Sequence, residues 1–312
     1  MSVELLPIAL VVPTRNRARA LRRMLGSLAA QSAQPEEVAI VDASDDDSTQ
    51  SICSDDSVPG LRSQVSWRRA LIAGAASQRN HGVRVCSQPV IGFVDDDILF
   101  EADCLARLWG ALKSNERLGG VNAMITNQCY QSPGRISRLM FRIMAGQAQD
   151  SYAGKVLGPA INLLPEDRAD LPEVVQVEWL NTGCTIYRRE ALPDPPFASH
   201  FTGYSLMEDL TLSVTVRRSW NLANVRSAKI FHDSQPGDHK SDGVALAEMR
   251  LVNRHYVMTR VLGRNRMRDY VKLGGFQCFC LASSLQTRSG RAELSATLRG
   301  TARGIRRIIG CR

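Results

Sequence analysis

The sequence has no CxxC pair, no cluster among its five histidines, and no apolar run of the ~20 residues that a membrane-crossing helix needs. Its eight cysteines, at positions 53, 86, 104, 129, 184, 278, 280 and 311, lack the paired spacing of zinc ligands. That pattern argues against a structural zinc site and predicts reduced, mostly structural thiols in a cytosolic setting. The run Leu5-Leu6-Pro7-Ile8-Ala9-Leu10-Val11-Val12 is short and has no basic segment before it, which suits a buried first strand better than an export signal. Net positive charge is confined to the C-terminus. From Arg254 to Arg312 there are 13 basic and 2 acidic residues, a net +11 against +8 for the whole chain, so the remainder is net acidic. A nucleic-acid enzyme would more usually carry its basic residues along the cleft, and no nucleic-acid partner is expected.

What is present is an ordinary soluble composition, 44% apolar and 22% charged over 312 residues, enough for one large α/β domain or two smaller ones. Ile8–Val12 reads as a buried parallel strand. Leu21, Met24, Leu25 and Leu28 recur at helical spacing and predict a helix over Ala18–Gln31. Pro35 marks a loop, and Val38–Val41 reads as a second strand ending at Asp42. Ala73–Val85 reads as a helix, Val90–Val94 as a third strand, Leu105–Leu112 as a helical face and Gly120–Ile125 as a further strand. Residues 126–176, rich in Gly, Pro and Gln, are expected to be a variable, partly mobile loop region. Order resumes at Val177–Leu180 and Thr185–Tyr187, with a helix over Glu208–Trp220 and a strand from Ala223 to Phe231. Asp242 is placed to cap a helix from Gly243 to Leu262 that Gly263 stops. Repeated βα units predict a doubly wound, mostly parallel sheet flanked by helices. The expected division is a catalytic domain over 1–240, with halves 1–125 and 126–240, and a basic helical extension over 241–312.

Ligands on such sheets bind beyond the carboxyl ends of the strands. Three polar clusters fall there: Pro13-Thr14-Arg15, Asp42 and Asp95-Asp96-Asp97. Carboxylates suit hard divalent cations, which bind through one or two protein acids plus substrate phosphates. Asp97 is the expected direct ligand of Mg²⁺ or Mn²⁺, with Asp95 as a water-mediated ligand or ribose contact. A helix cap would need one acid, and here there are three. Arg79 either adds charge-assisted hydrogen bonds to a diphosphate or is an exposed helix arginine. Glu208-Asp209 either supplies a general base or follows the preference of acids for a helix N-terminus. His232 is a third metal ligand, a diphosphate contact or a structural hydrogen-bonder.

These residues resemble the inverting nucleotide-sugar glycosyltransferases of family 2, which have the GT-A fold. The resemblance runs over roughly Ile8–His232. It rests on Val11-Val12-Pro13-Thr14-Arg15-Asn16-Arg17, Val41-Asp42-Ala43-Ser44, Gln78-Arg79-Asn80-His81-Gly82, Phe93-Val94-Asp95-Asp96-Asp97, the segment Trp179–Glu190 and Glu208-Asp209-Leu210-Thr211-Leu212-Ser213. It implies that Pro13, Thr14 and Asp42 line the base and ribose pocket, with Arg79 near the nucleotide. It implies Asp95 and Asp97 at ribose and metal, Asp209 as base, and His232 near the metal. The donor-binding set is then Pro13, Thr14, Arg15, Asp42, Arg79, Asp95 and Asp96, with Glu208 beside Asp209 at the catalytic position. Ala43 and Ser44 depart from the family's usual Asp-Gly. The Gln-x-x-Arg-Trp motif of processive synthases is absent, so transfer of one sugar or a few is expected, to a glycan or lipid-linked acceptor in surface polysaccharide synthesis.

In the basic tail, Leu294, Leu298, Ile305, Ile308 and Ile309 share a helical face bordered by Arg299, Arg303, Arg306 and Arg307. Such a helix suits an anionic membrane surface, or packing on the body or on a second subunit. A cytoplasmic protein, peripheral on the inner face of the membrane, is the expected setting. Two rivals are a haloacid-dehalogenase-like phosphatase, which places its Asp-x-Asp on a first strand, and a non-catalytic nucleotide-binding scaffold.

Overall fold

The apolar run near the N-terminus forms β1 (Glu4–Thr14), whose interior is buried on both faces, as a central parallel strand requires. The computed structural model describes residues 3–53, 58–235 and 242–310. They group into two units, Met1–Tyr130 with Leu164–Gln235, and Gln131–Leu163 with Pro236–Arg312. Residues 131–163 therefore cluster with the C-terminal helices, a grouping that differs from the boundary expected at 240.

In the first unit, α1 (Ala18–Ala29) buries Leu21, Met24, Leu25 and Leu28. The strand β2 (Ala33–Asp42) begins earlier than expected and includes Pro35. The β1–β2 register shifts between Leu6 and Ala9, beside Pro7, which has no N–H for the ladder. A short α2 (Ser48–Ile52) and the strand β3 (Gln64–Arg69) follow. Neither was expected. β3 is an edge strand of mostly exposed or half-buried residues, held by its parallel ladder to β2 rather than by burial. Next come α3 (Ala75–Val85), β4 (Val90–Val94), β5 (Ile98–Phe100), α4 (Cys104–Ser114) and β6 (Leu118–Ile125), the last buried throughout.

The expected loop over 126–176 is partly regular. It contains α5 (Arg135–Ala145), a small hairpin of β7 (Val156–Leu157) and β8 (Ile161–Asn162), and β9 (Val174–Val177). Gly and Pro on either side masked the helical spacing of Ile136, Leu139 and Ile143. The first unit ends with β10 (Cys184–Arg188), α6 (Glu208–Val216) and β11 (Asn221–His232).

The sheet order is β3-β2-β1-β4-β10-β6-β11-β5, with β9 also paired to β11. β1, β2, β3 and β4 run parallel, as do β6 and β11, while β10, β5 and β9 are antiparallel to their neighbours. The chain steps from β1 outward to β2 and β3, then returns to place β4 on β1's other side. That reversal is a switch point, where a crevice opens at the carboxyl ends. α3 packs closely on β1, because a Cβ on Gly82 would lie 2.2 Å from Val11 Cγ1.

In the second unit, α7 (Gly243–Tyr256) is capped by Asp242, whose Oδ1 accepts from Val244 N (3.0 Å) and Ala245 N (2.9 Å). The helix continues as a π-helical turn over Val257–Val261, and Gly263 stops it at φ +64°. α8 (Met267–Ser284) and α9 (Arg288–Gly310) complete the unit. α9 lies tight on α7, since a Cβ on Gly300 would meet the Val244 carbonyl oxygen at 2.3 Å. Among the described residues no helix is long and apolar enough to cross a membrane.

Candidate active site

The switch point brings the end of β1 beside the residues following β4. Thr14 Oγ1 donates to Asp96 Oδ2 at 2.6 Å across that crevice. Arg17, just beyond β1, bridges Asp96 Oδ1 and Asp97 Oδ2, each 3.2 Å from its Nη1. The antiparallel ladder of β5 and β11 sets His232 opposite Ile98. It thereby brings His232 Nε2 to 3.2 Å from Oδ1 of the preceding Asp97. The Gln235 N–H points at Asp97 Oδ2, 3.2 Å away, and the Gln128 amide nitrogen lies 2.8 Å from His232 Nδ1.

A second chain of contacts runs through Arg79, which is only 3% exposed in the middle of α3. Its Nη2 donates to Asp95 Oδ1 and its Nη1 to Glu208 Oε1, both at 2.8 Å, while the guanidinium lies over the Phe197 ring. Arg79 is thus a buried bridge, and the alternative of an exposed helix arginine is corrected. Asp209, next along α6, receives the Leu210 N–H at 2.6 Å. The loop before α6 holds Gly203, Ser205 and Met207 at φ +59°, +58° and +74°. Left-handed Ser and Met are costly conformations of the kind that cluster at functional sites. Gly203 also forms a bridge with Gly74, which fixes this loop beside the start of α3.

Charge balance follows from these contacts. Burial pushes the Asp96 carboxyl up to about 6, against the Thr14 hydrogen bond and the Arg17 charge. Burial raises Asp95 as well, with Arg79 pulling the other way. For Asp97 burial is outweighed by the hydrogen bond and charge of His232 and by the Gln235 N–H, which hold it below the usual carboxylate range. Glu208 and Asp209 are both raised, chiefly by burial. One guanidinium cannot neutralise Asp95, Glu208 and Asp209 together, so the upward direction holds despite the Arg79 ion pair.

Asp42, expected in the donor pocket, is fully buried with both carboxylate oxygens in use. Oδ1 accepts from Ser44 N (2.8 Å) and Oδ2 from Trp67 Nε1 (3.1 Å). In this geometry it braces the end of β2 against β3. Arg69 stacks on Trp67 and donates to the Ser44 carbonyl oxygen at 2.7 Å. Arg15 is half exposed and faces Asp45 at 3.9 Å, away from the acidic run. Pro13 pairs with Val41 in the β1–β2 ladder, one step before Thr14. Sequence reasoning gave no role to Arg17, Trp67, Arg69, Gln78 or Gln128. Arg17 and Gln78 lie inside the motif strings, and Gln78 ties β1 to β2 through the carbonyls of Thr14 (3.0 Å) and Val41 (2.7 Å). Trp67 and Arg69 sit on the strand that went unread, and Gln128 lies in the segment expected to be a loop.

Among the described residues no ready-made group of three metal-ligating side chains is found. Asp97 and His232 nevertheless present a carboxylate and an imidazole 3.2 Å apart, with Asp95 nearby. That donor set fits a divalent cation that completes its shell with phosphate and water.

Comparison with known proteins decides the family. The model of Glycosyl transferase family 2 matches residues 9–192. The chain belongs to family 2. Validoxylamine A glucosyltransferases of Streptomyces hygroscopicus subsp. limoneus and subsp. jinggangensis are each 38% identical to it over 96 residues. That stretch is 30% of this chain and 20% and 22% of theirs, so the chain matches about a fifth of the length of these curated relatives. The fold of the family 2 chain is similar to a mannosyltransferase from Pyrobaculum calidifontis solved with GDP-Man and Mn²⁺ (TM-score 0.57, 12% identity, covering 96% of this chain and 87% of that one). It is also similar to residues 1–349 of S. aureus TarS in complex with UDP-GlcNAc (TM-score 0.51, 14% identity, 96% and 91% covered). A third likeness is GalNAc-T7 with UDP, GalNAc and Mn²⁺ (TM-score 0.53, 13% identity, 72% and 43% covered). At these identities the likeness establishes a GT-A-type α/β fold. The family match, not that likeness, removes the phosphatase reading, whose Asp-x-Asp belongs on a first strand rather than after β4.

Proposed function

We propose that this family 2 chain transfers one sugar, with inversion, from a nucleotide-diphosphate sugar to a hydroxyl of a glycan or lipid-linked acceptor, in the assembly of a surface polysaccharide. The observation that carries the reading is the pair of contact chains at the switch point. One runs Thr14–Asp96–Arg17–Asp97–His232 and the other Asp95–Arg79–Glu208. They supply a metal-suited carboxylate and a buried cation at one crevice, and the carboxylate Asp209 follows Glu208 directly in α6.

Asp97 and His232 would hold Mg²⁺ or Mn²⁺, with Asp95 at the ribose or in the cation's water shell. When bound, the cation neutralises charge on the departing diphosphate. Pro13, Thr14 and Arg15 border the base and ribose, and Asp42 keeps that border in register through Ser44 and Trp67. Asp96 fixes Thr14 and Arg17. Glu208, tied to Arg79, keeps that guanidinium aimed at Asp95. Asp209 then takes the proton from the acceptor hydroxyl as its oxygen attacks the anomeric carbon and the sugar–phosphate bond breaks on the opposite face. Burial raises the Asp209 carboxyl above its ordinary range, which makes it a stronger base than a free carboxylate.

Thermal-shift titration with UDP-, GDP-, dTDP- and CMP-sugars plus Mn²⁺, followed by transfer to hydroxyl acceptors, tests this reading. Stabilisation by one nucleotide class, lost in Asp97→Ala, is expected. No donor binding, or Asp97→Ala turning over donor at the wild-type rate, would overturn it.

A further inference from the structure

We propose that α5 is a second membrane-contact element, separate from the C-terminal tail, that seats the second unit on an anionic lipid surface.

Within its unit α5 is docked by one side only. Met144 is buried, the Phe141 ring packs edge-on against Tyr152 at 5.8 Å, and Lys272 Nζ donates to the Met144 carbonyl oxygen at 2.9 Å. The apolar residues one would expect to be inside point elsewhere. Ile136, Leu139 and Ile143 are 72%, 57% and 51% exposed and recur at helical spacing, forming one apolar stripe. Single exposed apolar residues need no explanation, but a contiguous stripe does.

Charge identifies what covers it. Arg135, Arg138 and Arg142 are all exposed on the adjoining face, and α5 contains no acid. The unit that carries α5 is basic as a whole, with 19 Lys and Arg against 6 Asp and Glu. A protein groove would offer apolar contact without calling for uniform positive charge around it. A bilayer with acidic headgroups offers both, taking the apolar stripe at the acyl boundary while the arginines extend to the phosphates. The same chemistry recurs on α9, where Leu298, Ile305 and Ile309 are 49%, 47% and 64% exposed among arginines. Two linked contacts with one surface bind more tightly than either alone.

The experiment is flotation of the full chain with phosphatidylcholine vesicles, with and without 30 mol% (roughly physiological acidity) phosphatidylglycerol. Binding to the acidic vesicles only is expected. Replacing Ile136, Leu139 and Ile143 together by Ser should weaken that binding by about tenfold or more. Replacing Arg135, Arg138 and Arg142 by Gln should cost on the order of fivefold per arginine and remove the salt dependence. Unchanged circular dichroism and nucleotide-sugar binding in both variants would show that the chain is still folded. Wild-type affinity in both α5 variants, or no binding of the native chain to acidic vesicles, overturns the proposal. So does an α5-dependent dimer, seen by light scattering, that the Ser variant converts to monomer, since a second copy would then cover the stripe. Lipid binding is read without sugar transfer, so its failure leaves the donor-site reading standing, and the converse also holds.

Discussion

The two units solve opposite electrostatic problems. The sheet unit gathers carboxylates at one crevice and holds them with a few shared partners: Asp96 with Thr14 and Arg17, Asp97 with Arg17 and His232, and Asp95 and Glu208 with Arg79. The helical unit concentrates cations and leaves many of them exposed beside apolar side chains. Buried charge must be paired to be tolerated, whereas exposed charge is available for a partner. On the readings proposed above, the first pattern suits a site that receives a cation and a phosphate ester, and the second a surface that lipid covers.

The largest expected break in this comparison is at Asp209. Asp209→Asn keeps the shape and removes the proposed base, so transfer should fall by roughly 10³-fold. Donor affinity and vesicle binding should be untouched, as read by initial rates, thermal shift and flotation. A matching pH profile follows from the raised carboxyl. The base must be deprotonated, so activity is lost as pH falls through a pKa displaced upward by burial. The acid limb should therefore lie above the ordinary carboxylate range.

Arg79→Met comes next. It leaves Asp95 and Glu208 buried without a cation, which should cost about 3–5 kcal/mol of stability in denaturant melts. Arg79→Met combined with Glu208→Gln should recover part of that loss but none of the activity. If the single variant is as stable as wild type, the two units do not differ in the way described.

How much of this was legible beforehand depends on what kind of signal each residue carries. β1 and β4 are mostly apolar runs, β6 is one broken only by Asn122, and α1 shows a regular helical stripe, so hydrophobic pattern announces them. β3 is polar and held by a ladder, which no hydrophobic pattern records. Asp95–Asp97 stood out because three acids at a strand end are hard to explain otherwise. The partners of those acids did not stand out. Arg17 could be seen only once the β1–β4 neighbourhood was known, and Gln128 only once β11 brought His232 to it. The burial of Asp42 was not legible, since its contact with Trp67 depends on the strand that was missed.

Gly82→Ala probes the contact between α3 and β1 that seats Arg79. The new Cβ would fall 2.2 Å from Val11 Cγ1, so helix or strand must move. Overpacking of this kind typically costs about 1–3 kcal/mol. A shift that small should still misplace the guanidinium and reduce transfer more than it reduces stability. Equal loss in both would mean that Arg79 needs no fine placement.

The smallest effect sharpens the other side of the comparison. Asp242 accepts two N–H groups at the start of α7, and a cap of this kind is worth about 1 kcal/mol. Asp242→Ala should therefore lower hydrogen-exchange protection in α7, and in α9 packed against it through Gly300. Protection in β1, β4 and β6, and donor binding at the crevice, should not move. The sheet unit has buried strands and paired acids of its own. A loss of protection that spread into β1 would mean that the two units open as one cooperative body, and the contrast drawn between them would have to be given up.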